Sequence, residues 1–452
     1  MDSRLKGCLV AAGLLALAPP DLTATEDNPA PGITHQLAQA IADPQLRNLV
    51  VEALDRNPEI AALSARARAA AMRAPQVKGL PDPVFGATAW VDGPETRTGP
   101  QVLTLNLMQP LPWLGKLDTE EQAALIEARA LEADLEARRL ELVTEVRRLF
   151  HELGFLVRRR AIVEDFLDHL RQHENISQSR YATGTGSSQD VVKIQAEITM
   201  AEQLLIDIDQ SRVPLEAELN RLRDLPPSSA VLPPQLPPGS PVSLDYQDLT
   251  REAHLRRPEV AAAEARIEGA QVRSKRVEKQ YRPDFGVGVT YTFVDPRQDS
   301  PGQIMPPEGN GDDIFGIQGA VTIPLWRKKL KGGTAEAVEL ELAARESKRG
   351  VLAGIDSSLG DLLQRIPLTW RELRLLEDVL ILQAEESVRS AQSGYVAGNL
   401  NALDLLDAEH VFFDAETAIA RARADYAIYL AELEGVSGTP AQLTSDMESK
   451  GP

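Results

Sequence analysis

The chain has 452 residues and a net charge of −19, with 43% hydrophobic but only 4% aromatic residues. Phosphate backbones are bound by clustered Lys and Arg, so this acidic balance argues against a nucleic-acid partner. Many aliphatic residues with few aromatic ones favour long Ala- and Leu-rich helices over a thick globular core.

The N-terminus is typical of an exported protein. Two basic residues precede an apolar run at positions 8–18, which is too short to span a bilayer and indicates a secretory signal peptide at 1–24. Cleavage after Ala24 is favoured over cleavage after Ala18. Cys8, the only cysteine, lies at the start of the apolar run, whereas a lipoprotein anchor would need it afterwards, so lipidation is not expected. No later stretch is apolar enough for a membrane helix, and any membrane span must consist of strands.

The chain that follows repeats one pattern twice. RNPEIAALSARARAAAMR begins at Arg56 and RRPEVAAAEARIEGAQVR at Arg256, so the two copies align at an offset of 200 residues. Further on, YATGTGSSQD at Tyr181 aligns with YVAGNLNALD at Tyr395. Such a duplication predicts two copies of one supersecondary unit and argues against an ordinary single-site enzyme.

The first copy is expected at 25–224. It should contain a helix at about 34–78, a strand pair at about 84–108, and a long helical hairpin that turns near 181–189. The hairpin is predicted from a proline-free stretch with heptad spacing, which indicates a coiled coil. The apolar positions of that spacing are Leu131, Leu135, Leu142, Val146, Leu149, Leu153, Leu156, Val163, Leu167 and Leu170.

A proline-rich connector at 225–243 leads to the second copy, expected at 244–435, and a flexible tail is expected at 436–452. The second copy should contain a helix at about 246–279, a strand pair at about 284–323, and a helical hairpin that turns near 395–403. Pro367 should kink this hairpin or begin a new helical segment.

The four predicted strands alternate large apolar residues with small or polar ones. In DFGVGVTYTF, beginning at Asp284, the Phe, Val and Tyr side chains share one face, and Gly and Thr occupy the other. This pattern fits a strand between lipid and water, and it equally fits one buried face of a soluble sheet. Four strands cannot close a barrel, and an open edge is not tolerated in lipid, so membrane-spanning strands would require several copies of the chain.

The order of elements, repeated twice after a signal peptide, resembles the TolC-like outer-membrane efflux proteins. Segments typical of that family are NPEIAA with RPEVAA, LPDPVFG with RPDFGVG, QPLPWLGK with IPLWRKK, and YVAGNLNALDLLDAE. QPLPWLGKL is most similar to the branch that serves heavy-metal (cobalt–zinc–cadmium or copper) resistance pumps.

The resemblance implies a mainly α fold with a small β part. Three chains would share a 12-stranded barrel in the outer membrane of a Gram-negative bacterium and an α-helical barrel through the periplasm. The implied partners are a periplasmic adaptor (membrane fusion protein), an inner-membrane pump of the proton-driven resistance-nodulation-division type, and outer-membrane lipid. No cofactor is implied.

The resemblance also implies a gate at the periplasmic mouth. Asp404 and Asp407, one helical turn apart, match the two carboxylates from which three chains build constricting rings. Tyr395 and Asp190 match a hydrogen-bonded latch of the closed state. A basic residue forms a second latch in some members, and this chain has Leu400 at that position. Gly184 and Gly398 mark the two turns, which are the expected docking sites for the adaptor.

One other cluster of polar residues invites a metal-site interpretation. Asp165, His169 and His173 follow one another at intervals of four on the long first-half helix, a spacing that could bind a transition metal. A polar flank of a coiled coil is the favoured interpretation, so no metal site is predicted.

Three functions remain open. The first is the exit duct of a tripartite efflux system, and the second is the outer-membrane component of a protein-secretion machine. The third is a periplasmic coiled-coil adaptor or scaffold whose strands form a soluble domain.

Overall fold

A computed structural model of the protein describes residues 33–242 and 244–439. The predicted signal peptide with Cys8 and most of the predicted tail lie outside these ranges. The first half contains four short helices, three strands and two long helices. Their bounds are α1 Ile33–Ala40, α2 Pro44–Arg56, α3 Pro58–Ala71, α4 Arg73–Lys78, β1 Val84–Ala89, β2 Glu95–Thr96, β3 Gly99–Leu111, α5 Lys116–Ala182 and α6 Ser188–Leu222.

The second half follows the same order. Its elements are α7 Tyr246–Arg256, α8 Pro258–Lys279, β4 Asp284–Val294, α9 Ser300–Ile304, β5 Ile314–Thr322, α10 Arg327–Leu375, a π-helical segment Leu376–Leu380, α11 Ile381–Val396 and α12 Ala402–Ser437. Helix α12 therefore extends two residues into the segment predicted as a tail.

The single helices expected at about 34–78 and 246–279 are each interrupted at a proline. Pro58 and Pro258 occupy the first turns of α3 and α8, where a missing N–H group costs nothing. Asn57 caps α3, and its side chain accepts hydrogen bonds from the N–H groups of Glu59 and Ile60. No new helical segment begins at Pro367, because α10 continues through it and the helical geometry changes only at Leu376.

The strands form one antiparallel sheet in the order β1-β3-β4-β5, and β2 pairs with β3 beyond it. Thr104 and Thr292 pair in register, and their hydroxyl oxygens lie 3.1 Å apart on the polar face. The opposite face exposes large apolar side chains, including Phe85 (66%), Phe315 (64%) and Ile317 (79%). The sheet therefore presents its apolar face outward, and the small residues Gly286, Gly288 and Thr292 of the central strand β4 are buried on the other face.

The helices pack side by side around α5, which contacts α3, α6, α8 and α12. One core cluster joins α5 and α6 to α11 and α12 near the two turns, and it includes Leu170, Ile194, Tyr395 and Leu405. A second joins α5 to α2, and a third joins α10 to α12. The helices thus hold the turns at one end of the molecule and the sheet at the other.

Among the helices of the described residues, none combines the length and the apolar character that crossing a membrane requires.

Candidate functional site

The two helical turns have the same backbone construction. Gly184 and Gly398 adopt φ angles of 75° and 80°, which are strained for any residue with a Cβ atom. Each Gly N–H donates to the carbonyl oxygen of the tyrosine three residues earlier, Tyr181 at 3.0 Å and Tyr395 at 3.1 Å. The sequence repeat therefore corresponds to a repeated turn that reverses the chain.

The helices that follow the turns also begin alike. Ser187 caps α6 and Asn401 caps α12, which places Asp190 and Asp404 at the third position of their helices. Asp404 completes a capping box, because its carboxylate accepts a hydrogen bond from the Asn401 N–H at 3.4 Å. The Asp404 carboxylate therefore also stabilises the start of α12.

The two tyrosines differ in their surroundings. Tyr181 is 56% exposed, whereas Tyr395 is 1% exposed. The guanidinium of Arg180, from the first half, lies 4.5 Å from the centre of the Tyr395 ring and also donates to the Tyr395 carbonyl oxygen. Arg180 further donates to the Thr185 carbonyl oxygen at 3.4 Å, so one side chain links the two turns.

The expected latch is not formed within this chain. Among the described residues, no hydrogen bond joins Tyr395 to Asp190, and Arg180 holds Tyr395 instead. Leu400 packs against the core near Gly394, where an added Cβ would meet its Cδ1 at 2.7 Å. Sequence reasoning did not identify Arg180, because nothing local to its position indicates which residue of the other half it meets.

Asp404 and Asp407 are exposed and line one groove of about 610 Å³. Glu386 on α11 lines the same groove, together with Ser387 and Ser390. Because the two aspartates share one face of α12, they present negative charge in the same direction. Such a surface can attract cations.

His169 and His173 face a carboxylate from the other half of the chain. Glu409 on α12 is 1% exposed; its carboxylate oxygens lie 3.2 Å from His169 Nδ1 and 2.7 Å from His173 Nε2. Burial acts to raise the pKa of Glu409, but the contacts with His169 and His173 outweigh it and lower that pKa to about 2. The hydrogen bond to Glu409 raises the pKa of His169 above its usual value.

This cluster holds α5 against α12. Asp165 makes no hydrogen bond or ion pair within the described chain, and no group of three potential ligands suited to a metal ion occurs there. Glu409 was not singled out from the sequence, although a signal was available. It lies four residues after Leu405 and seven after Ala402, on the buried stripe of α12.

The chain matches the family model of outer membrane efflux proteins over residues 49–223 and 249–439. No curated protein shows a significant sequence match. Several solved structures share the fold. VceC of Vibrio cholerae, an outer membrane protein, is 22% identical, with 91% of this chain and all of VceC covered and a TM-score of 0.72.

The open-state MtrE outer membrane channel of Neisseria gonorrhoeae is 18% identical over 90% of this chain and 91% of MtrE, with a TM-score of 0.68. CusC is 16% identical over 88% of this chain and 93% of its own, with a TM-score of 0.65. These similarities confirm the predicted mainly α fold with a small β part. The chain belongs to the outer membrane efflux protein family, and it is an outer-membrane protein that extends into the periplasm.

Proposed function

We propose that this chain is the exit duct of a tripartite efflux system. Three copies would form one passive conduit from a periplasmic adaptor and an inner-membrane pump of the resistance-nodulation-division type to the exterior. In this proposal the chain is not an enzyme, and transport is driven by its partners.

The sheet is the observation that carries this proposal. Its apolar face is exposed, and the edge strands β1 and β5 each have one strand neighbour within the described chain. In lipid, each unpaired N–H or C=O group costs roughly several kcal/mol of free energy. The edge strands β1 and β5 therefore both need further strands as hydrogen-bond partners. Neighbouring copies of the chain can supply them and close a shared barrel. The proposed homotrimer follows this reasoning and the family resemblance.

The turns form the proposed periplasmic entrance. Asp404 and Asp407 of three chains would surround one axis and favour cations, and the turns at Gly184 and Gly398 would meet the adaptor. Arg180 keeps Tyr395 in place in the conformation described. We propose that Asp190 binds the Tyr395 hydroxyl only after the second turn has shifted.

Ion selectivity tests the entrance. The Asp404→Asn/Asp407→Asn double variant, reconstituted in planar bilayers, should lose cation preference, seen as a reversal potential closer to zero across a KCl gradient. The matched control is Asp55→Asn/Asp248→Asn, which removes the same charge from exposed positions on α2 and α7. Equal reversal potentials for native and Asp404/Asp407 proteins would place the selective ring elsewhere.

The cargo is a separate question. The likeness of QPLPWLGKL to the heavy-metal branch favours metal cations or small toxic compounds, and a type I protein-secretion role is the second candidate. Deleting the gene and measuring survival on cobalt, zinc, cadmium and copper salts separates them. Sensitivity to metal would support efflux, whereas loss of a secreted polypeptide with unchanged tolerance would support secretion.

A further inference from the structure

A short basic segment follows the last strand of the sheet. We use "basic segment" for residues 326–331, WRKKLK, which contains Trp326, Arg327, Lys328, Lys329 and Lys331. Strand β5 ends at Thr322, which pairs in register with Asp284 at the start of β4. The basic segment therefore lies at the end of the sheet where the long helices begin.

Where the first half passes from β3 into α5, Lys116 and two nearby cations of the second half, Lys279 and Arg282, have partners within the protein. Lys116 Nζ lies 2.7 Å from a carboxylate oxygen of Asp284, and Lys279 Nζ lies 2.7 Å from the Gly115 carbonyl oxygen. The Arg282 guanidinium lies 5.9 Å from the centre of the Trp113 ring. The charges at this position therefore need no external partner.

The basic segment differs in this respect. Its four cationic side chains are exposed, and within the described residues none of them has an ion pair or hydrogen bond. They also occupy the first turn and a half of α10, where the positive end of the helix dipole disfavours them. Four unneutralised cations at this position indicate an anionic partner outside the chain.

The neighbouring apolar residues indicate what kind of partner this is. Ile323, Leu325 and Trp326 are 63%, 72% and 79% exposed, and they continue the outward apolar face of the sheet toward the basic segment. Trp beside Lys and Arg is the composition that proteins place at the boundary between hydrocarbon and headgroups. At the opposite end of the sheet the charged residues are mostly acidic, since the loop 295–313 contains Asp295, Asp299, Glu308, Asp312, Asp313 and a single cation, Arg297.

We propose that the basic segment binds the headgroups of anionic phospholipids in the periplasmic leaflet, with Trp326 inserted at the level of the headgroups. The proposal rests on the membrane placement of the sheet under the proposed function. It adds a lipid-charge preference and a named contact, which the placement alone does not require.

The test compares two triple variants of the mature protein in detergent. One is Lys328→Gln/Lys329→Gln/Lys331→Gln. The control, Arg66→Gln/Lys193→Gln/Arg371→Gln, removes the same charge from three cations of the long and short helices that also lack ion pairs within the described chain. Native mass spectrometry measures the binding of added phosphatidylglycerol, phosphatidylcholine or lipid A.

The native and control proteins should bind phosphatidylglycerol more tightly than phosphatidylcholine, and 0.5 M salt should reduce the difference. The lysine triple should bind phosphatidylglycerol about a hundredfold more weakly, because each of the three cations near an anionic surface contributes about fivefold. Its binding of phosphatidylcholine should not change.

Four results would overturn the proposal. Phosphatidylglycerol binding could be equal in the two triples, or the native protein could bind both phospholipids alike. Alternatively, the lysine triple could lose trimer stability with unchanged lipid affinity, which would show that acidic groups of a neighbouring copy pair with the lysines. Loss of lipid A binding alone would assign the segment to the other leaflet and would equally refute it. Bilayer conductance of both triples is the separate readout: lipid binding without a channel would contradict the proposed function and not this inference.

Discussion

The turn of the first half and the turn of the second half have the same backbone conformation but differ in the side chains that pack over their tyrosines. Both place a glycine at positive φ and return its N–H to a tyrosine carbonyl. Tyr181 nevertheless lies exposed, while Tyr395 is buried under Arg180. The duplication has therefore conserved the means of reversing the chain, and specialisation has occurred in the side chains of the second copy.

Truncation of the two tyrosines should break this comparison most strongly. Tyr395→Ala should lower the free energy of local opening at the second turn by about 3 kcal/mol or more, because a buried aromatic ring is lost. Tyr181→Ala should cost less than about 0.5 kcal/mol, as expected for an exposed position. Amide hydrogen exchange of α11 and α12 measures both, and similar values for the two variants would refute the asymmetry.

Arg180 should produce the next largest effect. Arg180→Gln removes the cation over the Tyr395 ring and a charged hydrogen bond, which together stabilise the second turn by about 2 kcal/mol. The variant should therefore show faster amide hydrogen exchange at the second turn and a higher single-channel conductance.

Tyr395→Phe distinguishes the restraint by Arg180 from the latch between Tyr395 and Asp190. It keeps the ring and the backbone carbonyl that Arg180 contacts, so the Arg180 restraint predicts native conductance. The latch predicts instead that Tyr395→Phe combined with Asp190→Ala raises conductance, and an unchanged conductance in that double variant would exclude the latch.

The glycines test the shared part of the comparison. Gly184→Ala and Gly398→Ala should each lower the free energy of unfolding by about 1–2 kcal/mol, because alanine is strained in the left-handed backbone conformation of both positions. An added Cβ meets nothing within 4 Å at Gly184 and only Arg180 Nη2 at 3.8 Å at Gly398. Thermal unfolding should therefore shift equally in the two variants, and a much larger effect at one position would show that the turns are not equivalent.

The smallest effect is expected from pH at the contact between α5 and α12. The pKa of His169 is raised above 6.5, so its contribution is complete below pH 6.5 and is lost as pH rises through the raised value. The pKa of Glu409 is lowered from 4.5 to about 2, so its contribution is present above pH 4.5 and lost as pH falls toward 2.

The contact should therefore be most stable between about pH 4.5 and 6.5. Because the side chain of His169 is 43% exposed, its loss should cost less than about 1 kcal/mol. Thermal midpoints of unfolding at pH 5.5 and 8.5 measure the loss of stability with rising pH. The His169→Gln variant should not show this loss. An undiminished decline in that variant would assign the titration to another group.

Much of the architecture follows from local sequence signals. The repeat predicted the two halves, period-two alternation predicted the strands, and the Tyr–Gly spacing predicted the turns. The breaks at Pro58 and Pro258 could also have been predicted, since proline at the first helical position is a helix-start signal. The π-helical segment at Leu376–Leu380 has no comparable signal in this sequence.

The candidate site was less predictable because its contacts connect residues far apart in the chain. Arg180 reaches Tyr395 across 215 positions, and His173 reaches Glu409 across 236. Periodicity identifies which side of a helix is buried, but it does not identify which residue of another helix lies opposite. Tyr395 was assigned a partner by resemblance, and the chain places a different side chain against it.

The 67 residues of α5 form one uninterrupted rod about 100 Å long. Its apolar packing positions recur every seven residues. A heptad could therefore be added or removed without disturbing the contacts between helices only if α10–α12 changed in length by the same amount. The two halves are consequently coupled in length during evolution. Under the proposed function, that shared length would set the distance between the outer membrane and the partner that meets the turns.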